Sequence, residues 1–459
     1  MTRHFTRDLP MNQHIALTMA ATGRWLFRQM PASAWRVNLA LLDQALVSAV
    51  NFGTGILTAR YLASDEFGRY VLAFMVVAAA NMFQQSLTLD PMLSIGSKKE
   101  GEAAELYFSA VVLHQLVLCL ALSIAILVGT WGVGLIFPAW DLGSLSLPMV
   151  AATIGFQFQE LLRRYFFVRH RLGMVIINDG LRYGTQIVAV FCLLKWAGDR
   201  AVGSDVLLII AATSGLAVIH GFLNFGKWRS TRDAVASATA ENWRYSKWLI
   251  ASSGLRAFNT TVFTSAAGYF YGAMAAGELR AAQNLVAFIH IFYLGLENFA
   301  LVRAAHAFAR HGVEALRSVV TKLAFFGGGV TIASLALVCL YAGRILALLY
   351  GDRYLHITDL VYLWAFNYAF MFFVLPTGIA VRAMEQSRLI LIVEGLQTLF
   401  SLVAAYPLLI YFGPSGAVLG YTGGNLIVLI YFVFMLNKMM RRPASAAPAP
   451  AGGLDEANC

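Results

Sequence analysis

The chain has 459 residues, of which 59% are hydrophobic and only 13% charged, with a mean hydropathy of +0.67. That is more apolar surface than a water-soluble core can hide, which excludes an ordinary globular domain and makes the bilayer the solvent. Lys and Arg outnumber Asp and Glu by 34 to 24, and four scattered cysteines, Cys119, Cys192, Cys339 and Cys459, form no disulfide framework and no metal-binding spacing.

Residues 1–37 read as a cytosolic N-terminal arm rather than a signal peptide, because the weak apolar run from Ile15 to Thr22 is broken by Arg24 and Arg28. Apolar windows long enough to cross a bilayer then recur at 38–62, 68–95, 105–130, 146–168, 171–197, 204–226, 247–271, 279–302, 319–342, 354–380, 389–411 and 414–437. The expected fold is therefore an all-α membrane protein of about twelve spans. The tail at 438–459, with its "PASAAPAPAGG" stretch, has too little apolar surface to fold and is expected to be disordered.

Orientation follows from the loops, because basic loops stay on the cytosolic side. One alternate set holds the arm, Lys98 and Lys99, Arg163 through Arg171, Lys227 through Lys247, Arg303 through Lys322, Arg382, Arg388 and the tail. The other holds only Arg69, Lys195, Arg200, Arg280, Arg344 and Arg353. Both termini are expected in the cytosol, and the basic balance needs no nucleic acid. The sparse loops are too short to carry a domain, so any chemistry must lie between the helices.

A weak internal repeat supports two halves. "TARYLASDEFGRYVLA" after the first span resembles "AGYFYGAMAAGELRAAQNLVA" after the seventh, aligning Arg69 with Arg280, and "GLIFPAWD" resembles "LALLYGDRY". The expected organisation is a six-helix bundle over 38–226, a cytosolic linker over 227–246 and a second bundle over 247–437.

No GxxxxGK[ST] loop, HExxH motif or serine elbow occurs, so neither ATP hydrolysis nor a known hydrolytic site is expected. The informative residues are ionisable groups inside spans, where an uncompensated charge costs about 2.5–3.5 kcal/mol and must face a cavity or a partner. Arg256 lies in the seventh span with no acidic neighbour within a turn, which favours a cavity. Arg182 lies three residues after Asp179, so it either lines a cavity or pairs locally. Asp43, Asp90, Glu160, Glu297 and Glu394 fall near the cytosolic ends of their spans. They are either carboxylates reaching interfacial water or a cytosolic gate pairing with Arg163, Arg303 or Arg382 of the other half. Trp364, Tyr368 and Phe372 repeat at i, i+4 and i+8 and read as bundle packing or a groove for glycan or lipid. Gly416, Gly420 and Gly424 form a GxxxGxxxG stripe suited to close helix approach.

"NFGTGILTARYLASDEFGRYVLA" (Asn51 to Ala73) and "LLYGDRY" (Leu348 to Tyr354) resemble segments of the polysaccharide transporter, or O-antigen flippase, family of the multidrug/oligosaccharidyl-lipid/polysaccharide exporter superfamily. The resemblance covers roughly residues 38 to 437. It implies two pseudo-symmetric six-helix bundles around a central cationic cavity, working by alternating access on undecaprenyl-diphosphate-linked oligosaccharide in the bacterial inner membrane. It also implies headgroup-binding arginines, for which Arg60, Arg182 and Arg256 are in position. The implied partners are the lipid-linked oligosaccharide, membrane lipids, H+ or Na+ as coupling ion, and glycan polymerase machinery, with no cofactor or metal. "QQSLTLDPMLSIG" departs from the pattern of O-antigen members, which leaves exopolysaccharide substrates open. Two other readings stand beside this one: a drug/cation antiporter of the same superfamily, which should bury acids at mid-membrane, and a glycan polymerase or ligase, which should carry a long external loop.

Overall fold

The computed structural model describes residues 32–384 and 387–440, without the side chains of 32–43 and of a few isolated positions. The arm before Ala32, the tail from Arg441 and the Asp43 side chain lie outside this description. Among the described residues, twelve long helices run in order. These are α1 (Ala32–Tyr61), α2 (64–96), α3 (Gly101–Ile136), α4 (Ser146–Val168), α5 (172–197), α6 (Gly203–Leu223), α7 (Arg232–Tyr271), α8 (273–311), α9 (313–340), α10 (Thr358–Ala383), α11 (Ser387–Phe412) and α12 (Ser415–Met440). Within α8 the axis bends by 55° between Ala273–Ala287 and Ile289–Glu297, and Gly312, at φ 70° and ψ −158°, separates α8 from α9.

Seven of these helices are long and apolar enough to cross a membrane by themselves, and the bent α8 makes an eighth. The four that fall short are α1, α4, α5 and α7. For α4, α5 and α7 the lower hydropathy has a structural reason, because they carry charged and carboxamide residues that face the interior.

Two helices are locally widened. A π-helical turn interrupts α2 at Gln85–Leu89, immediately before Asp90, and another interrupts α5 at Gly180–Gly184, around Arg182. Each extra residue re-aims the side chains that follow it, and such bulges are frequent at functional sites.

Helix α7, with 40 residues, is about 60 Å long, twice a bilayer core. It occupies most of the residues expected as a linker, since Thr231 caps it by accepting from the Ala234 N–H at 3.2 Å. Its first half docks on the first lobe, where Tyr107 donates to Asn242 at 2.8 Å and Lys99 pairs with Glu241 at 2.9 Å. Its second half packs on α11 in the second lobe.

The buried clusters show how the lobes meet. At the end bearing the sparse loops one core is shared, joining Leu62, Phe67 and Leu72 of the first lobe to Leu279, Leu346 and Tyr354 of the second. At the basic end two cores are separate, one around Phe108, Leu161 and Phe166, the other around Ile379, Val393 and Phe432. The lobes are joined at the sparse face and parted at the basic face.

Candidate functional site: a cationic cavity between the lobes

The sparse face is sealed by backbone contact. A Cβ on Gly68, in the first turns of α2, would collide with the Ala273 carbonyl at the start of α8, and one on Gly277 would come within 3.1 Å of the Gly68 backbone. Around this contact two arginines cap helices of opposite lobes. Arg60 donates to the Leu348 carbonyl at 2.7 Å, at the end of the short helix Ala342–Tyr350. Arg353 donates to the Leu62 carbonyl at 2.8 Å and to that of Ala59, at the end of α1. Unpaired carbonyls at a helix C-terminus are the natural acceptors for such cations. Trp140 adds a further tie, its indole donating to the Gly268 carbonyl at 3.0 Å.

Beneath the seal lie three adjoining chambers of about 380, 410 and 430 Å³, each in the range of a ligand pocket. Val71, Met75, Thr260 and Arg280 line both of the first two, while Arg256, Glu394 and Gln397 line both the first and the third. Their charged lining is four arginines, Arg182, Arg256, Arg280 and Arg382, against two glutamates, Glu297 and Glu394.

Arg182 is 1% exposed and lies at the rim of the first-lobe chamber. It donates to Gln159 at 2.5 Å and to the Tyr183 hydroxyl at 2.9 Å, with its guanidinium 3.9 Å from the Phe156 ring centroid. The local pair with Asp179 does not form. Asp179 instead accepts from Arg163 at 2.5 Å and from Gln159 at 2.8 Å. The π-turn starts directly after Asp179, so the three-residue spacing no longer puts the two side chains on one face.

Arg256 is half-exposed, its Nε 3.4 Å from Glu394, whose other oxygen accepts from Asn259 at 3.3 Å. Arg280 was missed by the sequence. With a span beginning at 279 it counts as a loop charge, but α8 begins at Ala273, which puts Arg280 about 10 Å inside the sealed end. It donates to Gln283 at 2.9 Å and has no carboxylate partner among the described residues. The long small-residue run "GAMAAGEL", which packs the helix tightly against α2, was the signal available. Arg60 lines none of the three chambers, being used instead in the seal.

The carboxylates expected as a gate pair within their own lobes in this conformation. Glu160 holds Arg164 at 2.8 Å and Arg163 at 3.3 Å, Glu297 holds Arg382 at 2.5 Å, and Gln85 donates to Asp90. Trp364 and Tyr368 line the first chamber, whereas Phe372 is fully buried against Gly327.

No protein-family model matches the chain, and no curated protein matches it by sequence. Its fold does match solved transporters. The inward-facing conformation of a multidrug resistance MATE family transporter of the MOP superfamily superposes with a TM-score of 0.70 at 14% identity, over 87% of this chain and 96% of that one. The lipid II flippase MurJ, in an inward closed conformation, gives 0.69 at 14% identity over 87% of each chain. A MOP superfamily transporter from Pyrococcus furiosus, whose reversed binding-pocket polarity suggests a different function for it, gives 0.60 at 15% identity over 88% and 95%. At these identities the likeness establishes the fold, a two-lobed membrane bundle of twelve helices that these solved transporters share.

Proposed function

We propose that this chain is an alternating-access flippase that carries a lipid-linked oligosaccharide, joined through diphosphate to a polyprenol such as undecaprenol, across the bacterial inner membrane for surface polysaccharide synthesis. The observation that carries this reading is Arg280, an arginine deep in a closed-ended cavity with no carboxylate to neutralise it. Its neighbours along the cavity are Arg256 and Arg182. A guanidinium exposed to the cavity with no carboxylate beside it among the described residues favours an anion, and a diphosphate offers the paired oxygens that match its fork. The sealed sparse face and parted basic face make this an inward-facing state, if basic loops mark the cytosol. Both termini would then be cytosolic, with 38–226 and 247–437 as the moving halves.

The lipid II flippase among the similar folds makes a polyprenyl-linked glycan a chemically apt cargo, to be passed after transport to a polymerase. A coupling ion, H+ or Na+, would act through the carboxylates Asp90, Glu160, Asp179, Glu297 or Glu394. The antiporter reading is weaker, because Glu394 in the cavity is already held by Arg256, and a cation would meet four arginines.

The test is translocation of a labelled polyprenyl-diphosphate oligosaccharide in liposomes. Wild type should transport it, and Arg280→Gln should slow transport about 10- to 100-fold, the worth of a charged hydrogen bond. Export of small cations without any movement of the labelled lipid would replace this reading with the antiporter.

A further inference from the structure

The second-lobe wall holds more hydrogen-bonding capacity than its arginines need. Five carboxamides, Asn259, Gln283, Asn367, Gln397 and Asn425, line the chamber of about 380 Å³. Asn425 and Thr422 spend donors on Asn367, at 3.1 and 3.2 Å, but Gln397 makes no hydrogen bond to the protein among the described residues. Gly424 makes room for it, since a Cβ there would come within 2.9 Å of the Gln397 Nε2. The indole N–H of Trp364, a chamber-lining residue only 3% exposed, is buried without an acceptor among the described residues.

One ring stands in the chamber wall in a fixed pose. Tyr421 is braced by Trp364, with ring centroids 5.4 Å apart, and by the edge of Phe263 at 5.2 Å. Its hydroxyl donates to the Thr260 carbonyl at 2.9 Å, which leaves a half-buried ring at the cavity. Gly420 has no side chain where the Phe263 ring lies, so the small-residue stripe of α12 serves this arrangement as well as helix packing.

An aromatic face beside carboxamides that both donate and accept is the chemistry of an uncharged sugar: a pyranose offers an apolar C–H face to a ring and hydroxyls around its edge. Arg256 and Arg280 line the same chamber, so a phosphate on them leaves the next unit of the substrate beside Tyr421. We propose that this chamber is the subsite for the sugar attached directly to the diphosphate, and that it takes a neutral or N-acylated hexose. An acidic sugar would bring its carboxylate toward Glu394, the one carboxylate of the chamber. The assignment rests on the flippase reading above.

The test is calorimetric binding to the full chain in nanodiscs, with farnesyl diphosphate and the same lipid carrying one N-acetylhexosamine as probes. Wild type should bind the glycosylated probe about tenfold more tightly than the bare diphosphate, the worth of one or two net hydrogen bonds. Gln397→Leu, in a protein of unchanged thermal midpoint, should erase most of that advantage and leave the affinity for farnesyl diphosphate as it was; Tyr421→Leu should do the same. Equal binding of the two probes by wild type, or variants that weaken both probes alike, would overturn the subsite while leaving the flippase intact. A probe bearing a hexuronic acid that binds as well as the N-acetylhexosamine would overturn the preference for an uncharged sugar. Failure of both diphosphate probes to bind would remove the flippase reading itself.

Discussion

The two walls of the cavity are built on opposite plans. The first lobe keeps its charges in a closed network: Arg182 is enclosed by Gln159, Tyr183 and Phe156, while Asp179 holds Arg163 and Glu160 holds Arg164. Among the described residues, the second lobe leaves Arg256 half-exposed at 3.4 Å from Glu394, Arg280 without a carboxylate, and Gln397 without a hydrogen-bond partner. A buried network of enclosed and paired charges gives rigidity and a fixed field even with the Arg182 Nε left without a partner among the described residues, whereas loosely held polar groups can be re-paired by a ligand. The contrast assigns the first wall to framing and the second to recognition.

The sharpest way to break that contrast is to remove a charge from each wall. Arg163→Leu takes the ionic partner from Asp179, which is fully buried, and should lower stability by about 3–5 kcal/mol, read as a drop in the thermal midpoint of the purified protein. Arg256→Gln breaks an exposed, long ion pair and should cost under about 1 kcal/mol while abolishing transport. Comparable destabilisation by the two substitutions would show that the walls are not different in kind.

A smaller effect sharpens the recognition side. Glu394 occupies Arg256 in the empty cavity, so it competes with any anion that arrives there. Glu394→Gln should raise the affinity for a short-chain prenyl diphosphate about twofold to fivefold, in line with one weak ion pair released. A fall in affinity would mean that Glu394 helps to hold the substrate or a cation that accompanies it.

How much of this was legible in the sequence depended on which physical signal a residue carries. Hydropathy announces a helix in lipid, so the twelve helices stand close to their expected positions. Arg256 was also legible, because a lone arginine deep in an apolar helix has few places to go. Arg182 was legible as a buried charge, but its partner was not: the i, i+3 rule assumes an α-helical turn, and the π-turn at Gly180–Gly184 rotates it away from Asp179. Arg280 was lost for a boundary reason, since six residues of α8 read as loop and put a cavity residue at the interface. Arg60 erred the other way. It stands in the last turn of α1, where the arginine reaches across to another helix terminus rather than inward. Contacts between lobes are made by residues distant in sequence, and no local pattern encodes them.

Different walls matter for transport only if they swing as units about the sealed face, and the two arginine caps there offer the mildest test. Arg353 ties α1 of the first lobe to the second, and Arg60 returns the tie from the first lobe to the short helix Ala342–Tyr350. Arg353→Gln removes two carbonyl contacts that exist only while this face is closed, so it should favour opening by about 1 kcal/mol, roughly a fivefold shift in population. Thiol labelling from the sparse face of a cysteine placed at Gln283 should speed up by that factor, with the thermal midpoint almost unchanged. Arg60→Gln should act in the same direction but less, its bonds being exposed to solvent. If labelling does not change in either variant, the seal is carried by the close packing around the Gly68–Ala273 contact rather than by the arginines, and Gly68→Ala, which cannot close without moving the backbone, becomes the substitution that opens this face.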